Sequence, residues 1–424
     1  MGGCRHPGSS QVYGASVLRV LTRNRDFRRL FLAELIVFGA DWFVMVPLLL
    51  LLNEKTGQGL WGGLALAAET GTVALLLPYA GTIADRFDRK RILITSNLSA
   101  LIAVVGLFLV HGPWAGPIAL VSVAALSGAK AFYTPAANAA MPNLVDRSDL
   151  SPAMAVHGSA WGTVTVLASS MGGVVSAWLS PYACFGLVAV GLVGAALLTS
   201  GIHRPTQLPG RAEQRPAFAA IAEANRFLRR EPRLLALVTV KSAVGVGNGL
   251  LATFPVLAMA FGVGPRGLGL MFAIRGLGSL VGPFVFRAAL ARPHWLFPAL
   301  AISMSTYGLA YLGVSMATWF PLVLAGIFVA HAAGGGNWVM SNYALAQEVP
   351  DELRGRVGAS DQMIAMLAVT VSQLTVGFFV DSVDVRLLIA CCATTTLLYA
   401  VGWRLVTRRL PRHVTAGPAL AVAD

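Results

Sequence analysis

Long, uninterrupted apolar stretches restrict this chain more than any other feature. Twelve of them, roughly 30–52, 60–84, 91–110, 116–140, 152–178, 182–201, 235–260, 267–289, 294–314, 319–342, 356–380 and 386–406, reach or approach the length of a membrane span. A helix needs ~20 apolar residues to cross ~30 Å of hydrocarbon. In lipid only helices and closed barrels satisfy their own backbone. The alternating pattern of barrel strands is absent, so an all-α polytopic membrane protein is expected. Composition agrees, with 56% apolar and 12% charged residues over 424 positions. A soluble domain carries about a quarter charged residues, which excludes most soluble enzymes and binding modules.

Lys and Arg set the expected orientation. With the N-terminus inside, Lys55, Arg266 and Arg386 fall outside, while Lys130, Lys241 and Arg275 fall within spans. The other 26 of the 32 basic residues are then cytoplasmic, and so are both termini. The net charge of +13 is thus read as loop chemistry and not as nucleic-acid binding. The first ten residues, MGGCRHPGSS, lack the apolar core of a cleavable signal, and His6 departs from the myristoylation pattern. Four cysteines form neither a disulfide framework nor a spaced metal site, and no cofactor is expected.

The two halves of the chain repeat each other. RDFRRL (25–30) precedes the first span and REPRLL (230–235) the seventh, 205 residues later. Gly81, Arg86 and Arg91 keep the spacing of Gly282, Arg287 and Arg292, and LVDRSDL (144–150) resembles EVPDEL (348–353). Two pseudo-symmetric six-helix bundles follow, 30–201 and 235–406, with tails at 1–29 and 407–424. Between them, 202–234 forms a basic linker whose second part reads as an amphipathic surface helix. Parallel repeats of this kind place a substrate site near the midplane between them.

GTIADRFDRKR (81–91) resembles the cytoplasmic loop signature of the major facilitator superfamily. Its DRFDRK form is similar to the drug:proton antiporter-3 branch, which includes macrolide-efflux and siderophore-exporting proteins. DFRRLFLAEL, FYTPAANAAMPNLVDRSDL (132–150) and QEVPDELRGRVGAS (347–360) look like the same branch. The resemblance spans about 25–406. It implies that Gly81, Asp85, Arg86, Arg89 and Lys90 form a latch, with Asp85 meeting the start of span eleven between Arg354 and Ala359. Antiporters often carry GPxxGG in span five. Here the stretch is ASSMGG (168–173), which keeps Gly172 and Gly173 but lacks the Gly-Pro pair.

Embedded charges are functional candidates because each is costly unless paired or hydrated. Glu34 and Asp41 on span one, seven apart, share a face, and Glu69 lies in span two. These three are the candidates for proton coupling or cation binding. Lys130, Lys241 and Arg275 are the basic partners available to them. Asp361 reads as an interfacial cap and His157 as a group near the inner end of span five. Implied cavity-lining residues are Met45, Tyr133, Asn138, Asn248, Asn337, Trp338, Asn342 and Tyr343.

The expected function is secondary active export of an amphipathic small molecule in exchange for protons, by a monomer in the cell membrane. Its alternative is an importer or uncoupled facilitator of the same fold. An intramembrane enzyme using Ser360 and His331 is the remote alternative, since Gly358-Ala-Ser360 lacks the second glycine of a serine-hydrolase turn. No nucleotide-binding loop suggests a primary pump.

Overall fold

The computed structural model describes residues 20–146, 149–207, 217–290 and 293–410. Cys4, His6 and Arg292 lie outside them. Among the described residues eleven helices are long and apolar enough to cross a bilayer. These are Arg25–Thr56, Leu60–Arg86, Arg89–Leu109, Gly112–Leu144, Pro181–Ser200, Pro232–Ala260, Gly264–Val285, Leu296–Ser315, Phe320–Glu348, Leu353–Phe379 and Val385–Thr407. The 29-residue helix Leu150–Trp178 takes the fifth place and completes twelve spans. Several helices begin well before their apolar stretch. Span one starts at Arg25 and span eleven at Asp351, because the helix continues through the polar boundary.

The bundles pack in the same way. Spans one, three and four pack among two, five and six, and the second half repeats the scheme. Span seven is interrupted: a 3-10 turn over Gly249–Thr253 separates Lys241–Asn248 from Phe254–Ala260. The helix Ala217–Arg230 lies in the linker, buries Ile221, Ala224 and Leu228, and keeps Arg226, Arg229 and Arg230 exposed. It packs on span eleven, where Arg356 pairs with Glu223 at 2.8 Å.

Two crossings join the halves: span two with span eleven, and span five with span eight. Both are made glycine to glycine. A β-carbon on Gly377 would lie 2.8 Å from the Gly63 α-carbon, and one on Gly173 would lie 2.6 Å from that of Gly269. Small residues let helix backbones approach this closely. A β-carbon on Gly172 would lie 2.7 Å from the Phe43 carbonyl oxygen. The two glycines kept from the span-five motif thus seat span five on spans one and eight.

All four crossing glycines lie toward the face away from the chain termini. On that far face Gly57, at φ +67°, ends span one. The Asp381 carboxylate accepts from the backbone N–H groups of Gly59, at 2.7 Å, and Leu60, at 3.0 Å. It thereby ties span two to the end of span eleven and complements a helix N-terminus.

The terminal face differs from the expected latch. Asp85 is exposed, and its nearest cation is Arg89 of its own loop, at 3.7 Å. A β-carbon on Gly81 would meet nothing within 4 Å. Arg89 donates to the Ala139 carbonyl at 2.8 Å and Lys90 to the Ile202 carbonyl at 2.7 Å, while Arg86 is exposed. The loop therefore binds its own bundle, and the Asp85 contact with span eleven is not made here. The halves are closed on the far face, which leaves no reason for the latch to engage.

Gly173→Val is expected to wedge spans five and eight apart, at a cost of about 1–3 kcal/mol for overpacking. Spin labels at Gln58 and Asp384 on the far face should then report a longer distance than in the otherwise unmodified chain. An unchanged distance would contradict the crossing as the point of closure.

Candidate functional site

Three pairs neutralise most of the embedded charge. Asp41 of span one accepts from the Lys130 ammonium of span four. Lys130 also sits 5.6 Å from the centre of the Phe38 ring. A small recess lies behind this pair, lined by Ser96, Asn97 and Tyr133 together with aliphatic residues such as Leu126 and Leu192. The Asn97 Oδ1 and the Tyr133 hydroxyl are buried there without a hydrogen-bond partner.

Glu34 and Asp41 share a helix face but address different neighbours. Glu34 meets the His157 Nδ1 of span five at 2.9 Å. Its second oxygen is buried and unpartnered.

In the second half Lys241 of span seven is fully buried and donates to Asp361 of span eleven. It also donates to Asn342 Oδ1 at 2.6 Å and lies 5.1 Å from the Trp338 ring centre. Asp361 is thus the buried ion-pair partner of span seven and not a cap of its own helix. It lies ten residues into its helix, about 15 Å at 1.5 Å per residue. Lys241 lies nine residues beyond Pro232, at matching depth. Both halves therefore tie their first helix to their fifth with an acid and a base, but with the two chemistries exchanged.

Glu69 and Arg275 remain. Glu69 of span two is half-buried, with neither a hydrogen bond nor an ion pair from its side chain among the described residues. It lies within electrostatic range of Asp41, Lys130 and Arg275. Arg275 of span eight, also half-buried, places its guanidinium carbon 4.6 Å from the Trp42 ring centre of span one. Its Nε is buried without a partner. Such a contact between a cation and a ring contributes about 0.5–2 kcal/mol. One residue beyond Glu69, the Thr70 hydroxyl meets Thr370 Oγ1 and Gln373 Oε1, both at 2.8 Å, across the two halves.

The expected cavity residues divide. Tyr133 and Met45 are buried within the first bundle, and Asn337 is fully buried and donates to Ser303 at 2.9 Å. Met45 and Asn337 are packing residues, while Tyr133 borders the recess behind Asp41, a distinction that a helix apolar on all sides cannot disclose in sequence. Asn248 turns back to the Val244 carbonyl at 3.0 Å. Trp338 and Asn342 surround Lys241, while Asn138 and Tyr343 are exposed. The enzyme alternative finds no pair: His331 Nε2 bonds the Tyr311 hydroxyl at 2.9 Å, and the Ser360 hydroxyl is buried without a partner. Trp42, Phe272 and Asn97 were not legible as site residues, because an aromatic ring in an apolar span gives no sign of the charge it faces.

Several known transporters are similar to this chain. The enterobactin exporter EntS of Salmonella typhi is 25% identical over 356 residues, covering 80% of this chain and 82% of that protein. The EntS of Escherichia coli O1:K1 is 24% identical over the same length. Among solved structures, the POT family transporter PepTSo aligns with a TM-score of 0.72 at 12% identity, over 91% of this chain and 98% of that one. A bacterial homologue of the human lysosomal transporter Spinster, inward-facing and unoccupied, aligns at 0.66 and 13% identity, over 94% and 96%. The family model described as Major Facilitator Superfamily matches residues 30–297 and 243–422, and the chain belongs to that superfamily.

Proposed function

We propose that this protein is a secondary active exporter that exchanges protons for an amphipathic small molecule by alternating access. The observation that carries the reading is Glu69: an embedded carboxylate at the interface of the halves with no ion pair among the described residues. A carboxylate already held by a cation has little reason to load and release a proton, whereas an uncommitted one does. Asp41, Lys130 and Arg275 are the charged groups facing Glu69 from spans one, four and eight. Asp41 becomes a neighbour that shapes its field and Glu34 is held by His157, so neither is the carrier itself. The similarity to enterobactin exporters supports outward movement of a siderophore-like or drug-like compound.

Basic residues concentrated on the terminal face support a cytoplasmic position for that face. Closure at the glycine crossings then leaves the substrate path facing the cytoplasm, the state that loads an exported compound. Rocking about the midplane would open the far face and bring the Asp85 loop against span eleven.

The test uses the purified full-length chain in liposomes with an acidic lumen, recording lumenal pH as amphipathic cations, anions, macrolides and siderophores are added. Substrate-dependent proton efflux is expected, and Glu69→Gln should reduce it to the rate of protein-free vesicles while Asp41→Asn retains it at a lower rate. Substrate flux without proton movement in the unmodified protein would overturn antiport in favour of a facilitator.

The paired charges are expected to behave as structure. Lys241→Met strands a buried Asp361 and should destabilise the protein by about 3–5 kcal/mol. Lys241→Met with Asp361→Leu should recover most of that loss in thermal unfolding. Equal stability of the single and double variants would contradict the pairing.

A further inference from the structure

Glu69 and Arg275 occupy equivalent places in the two halves. Arg275 lies 206 residues beyond Glu69, the separation that also relates Gly63 to Gly269 at the two crossings. Each charge sits six residues past its crossing glycine. The pseudo-twofold axis therefore has a carboxylate on one side and a guanidinium on the other. Neither makes an ion pair among the described residues, although Glu34, Asp41 and Asp361 all do.

The guanidinium is held in position. Trp42 lies under it, and Phe272, one helical turn earlier on span eight, packs on the same indole at 5.8 Å. Span eight is itself seated on span ten through glycine: a β-carbon on Gly278 would lie 2.5 Å from the Phe328 carbonyl oxygen. An arginine keeps its proton and offers five donors in a planar fork that matches carboxylates, sulfonates and phosphates. A buried donor left without an acceptor costs about 1–3 kcal/mol, which a bound anion recovers.

We infer that Arg275, backed by Trp42 and Phe272, is the anion subsite of the transport path, and that the transported compound carries an acidic group on an apolar, ring-bearing body. This deepens the exporter reading above and rests on it.

The test is equilibrium dialysis of 2-naphthoate and its cationic counterpart 2-naphthylmethylammonium against the full-length protein in nanodiscs, with no gradient imposed. The unmodified protein should prefer the carboxylate. Arg275→Gln should weaken naphthoate by about 30-fold, the equivalent of about 2 kcal/mol for a desolvated charge contact, without weakening the ammonium. Arg275→Lys should restore part of the loss, and Trp42→Leu, which removes the ring under the guanidinium, should weaken naphthoate without weakening the ammonium. Preference for the cation, or naphthoate binding unmoved in Arg275→Gln, would overturn the inference. Should Arg275→Gln fail to fold, Trp42→Leu decides alone, and unchanged naphthoate binding there is the contrary result. Intact naphthoate selectivity without proton exchange would refute only the coupling. Proton exchange without that selectivity would refute only the anion subsite.

Discussion

A charge inside a bilayer must be neutralised, hydrated or used, and this requirement organises the interior of the protein. Asp41 with Lys130, Glu34 with His157 and Lys241 with Asp361 satisfy it by pairing within one bundle. Each pair joins helices that must stay together, so each is tolerable in every state of the transport cycle. Glu69 and Arg275 lie where the bundles face each other. Their surroundings change as the bundles rock, so they are the groups whose neutralisation can depend on proton or ligand.

The glycine crossings supply the other half of the mechanism. Gly63 with Gly377 and Gly173 with Gly269 bring backbones together where any side chain would hold them apart. The contacts are small and lack charge, apart from the Asp381 cap of span two. An interface of this kind can release without stranding a buried ion. Six residues deeper on spans two and eight, Glu69 and Arg275 lie within electrostatic range of each other, just beyond the closure point.

Much of the fold was legible from the apolar stretches, because the bilayer leaves few other solutions for so many spans. The duplication was legible from loop residues such as Gly81 and Gly282. The pairing was not. Asp361 looked interfacial because span eleven was counted from the start of its apolar run, near 356, while the helix begins at Asp351. Starting the count there puts Asp361 level with Lys241. Tyr133 borders a recess inside the first bundle while Asn337 packs against Ser303 in the second, a difference that spans rich in Ala and Gly on all sides do not mark. The loop signature was legible as a motif, but its contacts depend on which face of the protein is closed.

Carbodiimide labelling tests the central claim most directly, because dicyclohexylcarbodiimide modifies protonated carboxyls in apolar surroundings. The full-length protein in membranes at neutral pH would be labelled, digested and mapped by mass spectrometry. The account predicts modification concentrated at Glu69, with Asp41, Glu34 and Asp361 spared by their basic partners. Labelling at Asp41 or Asp361 with Glu69 unmodified would contradict it.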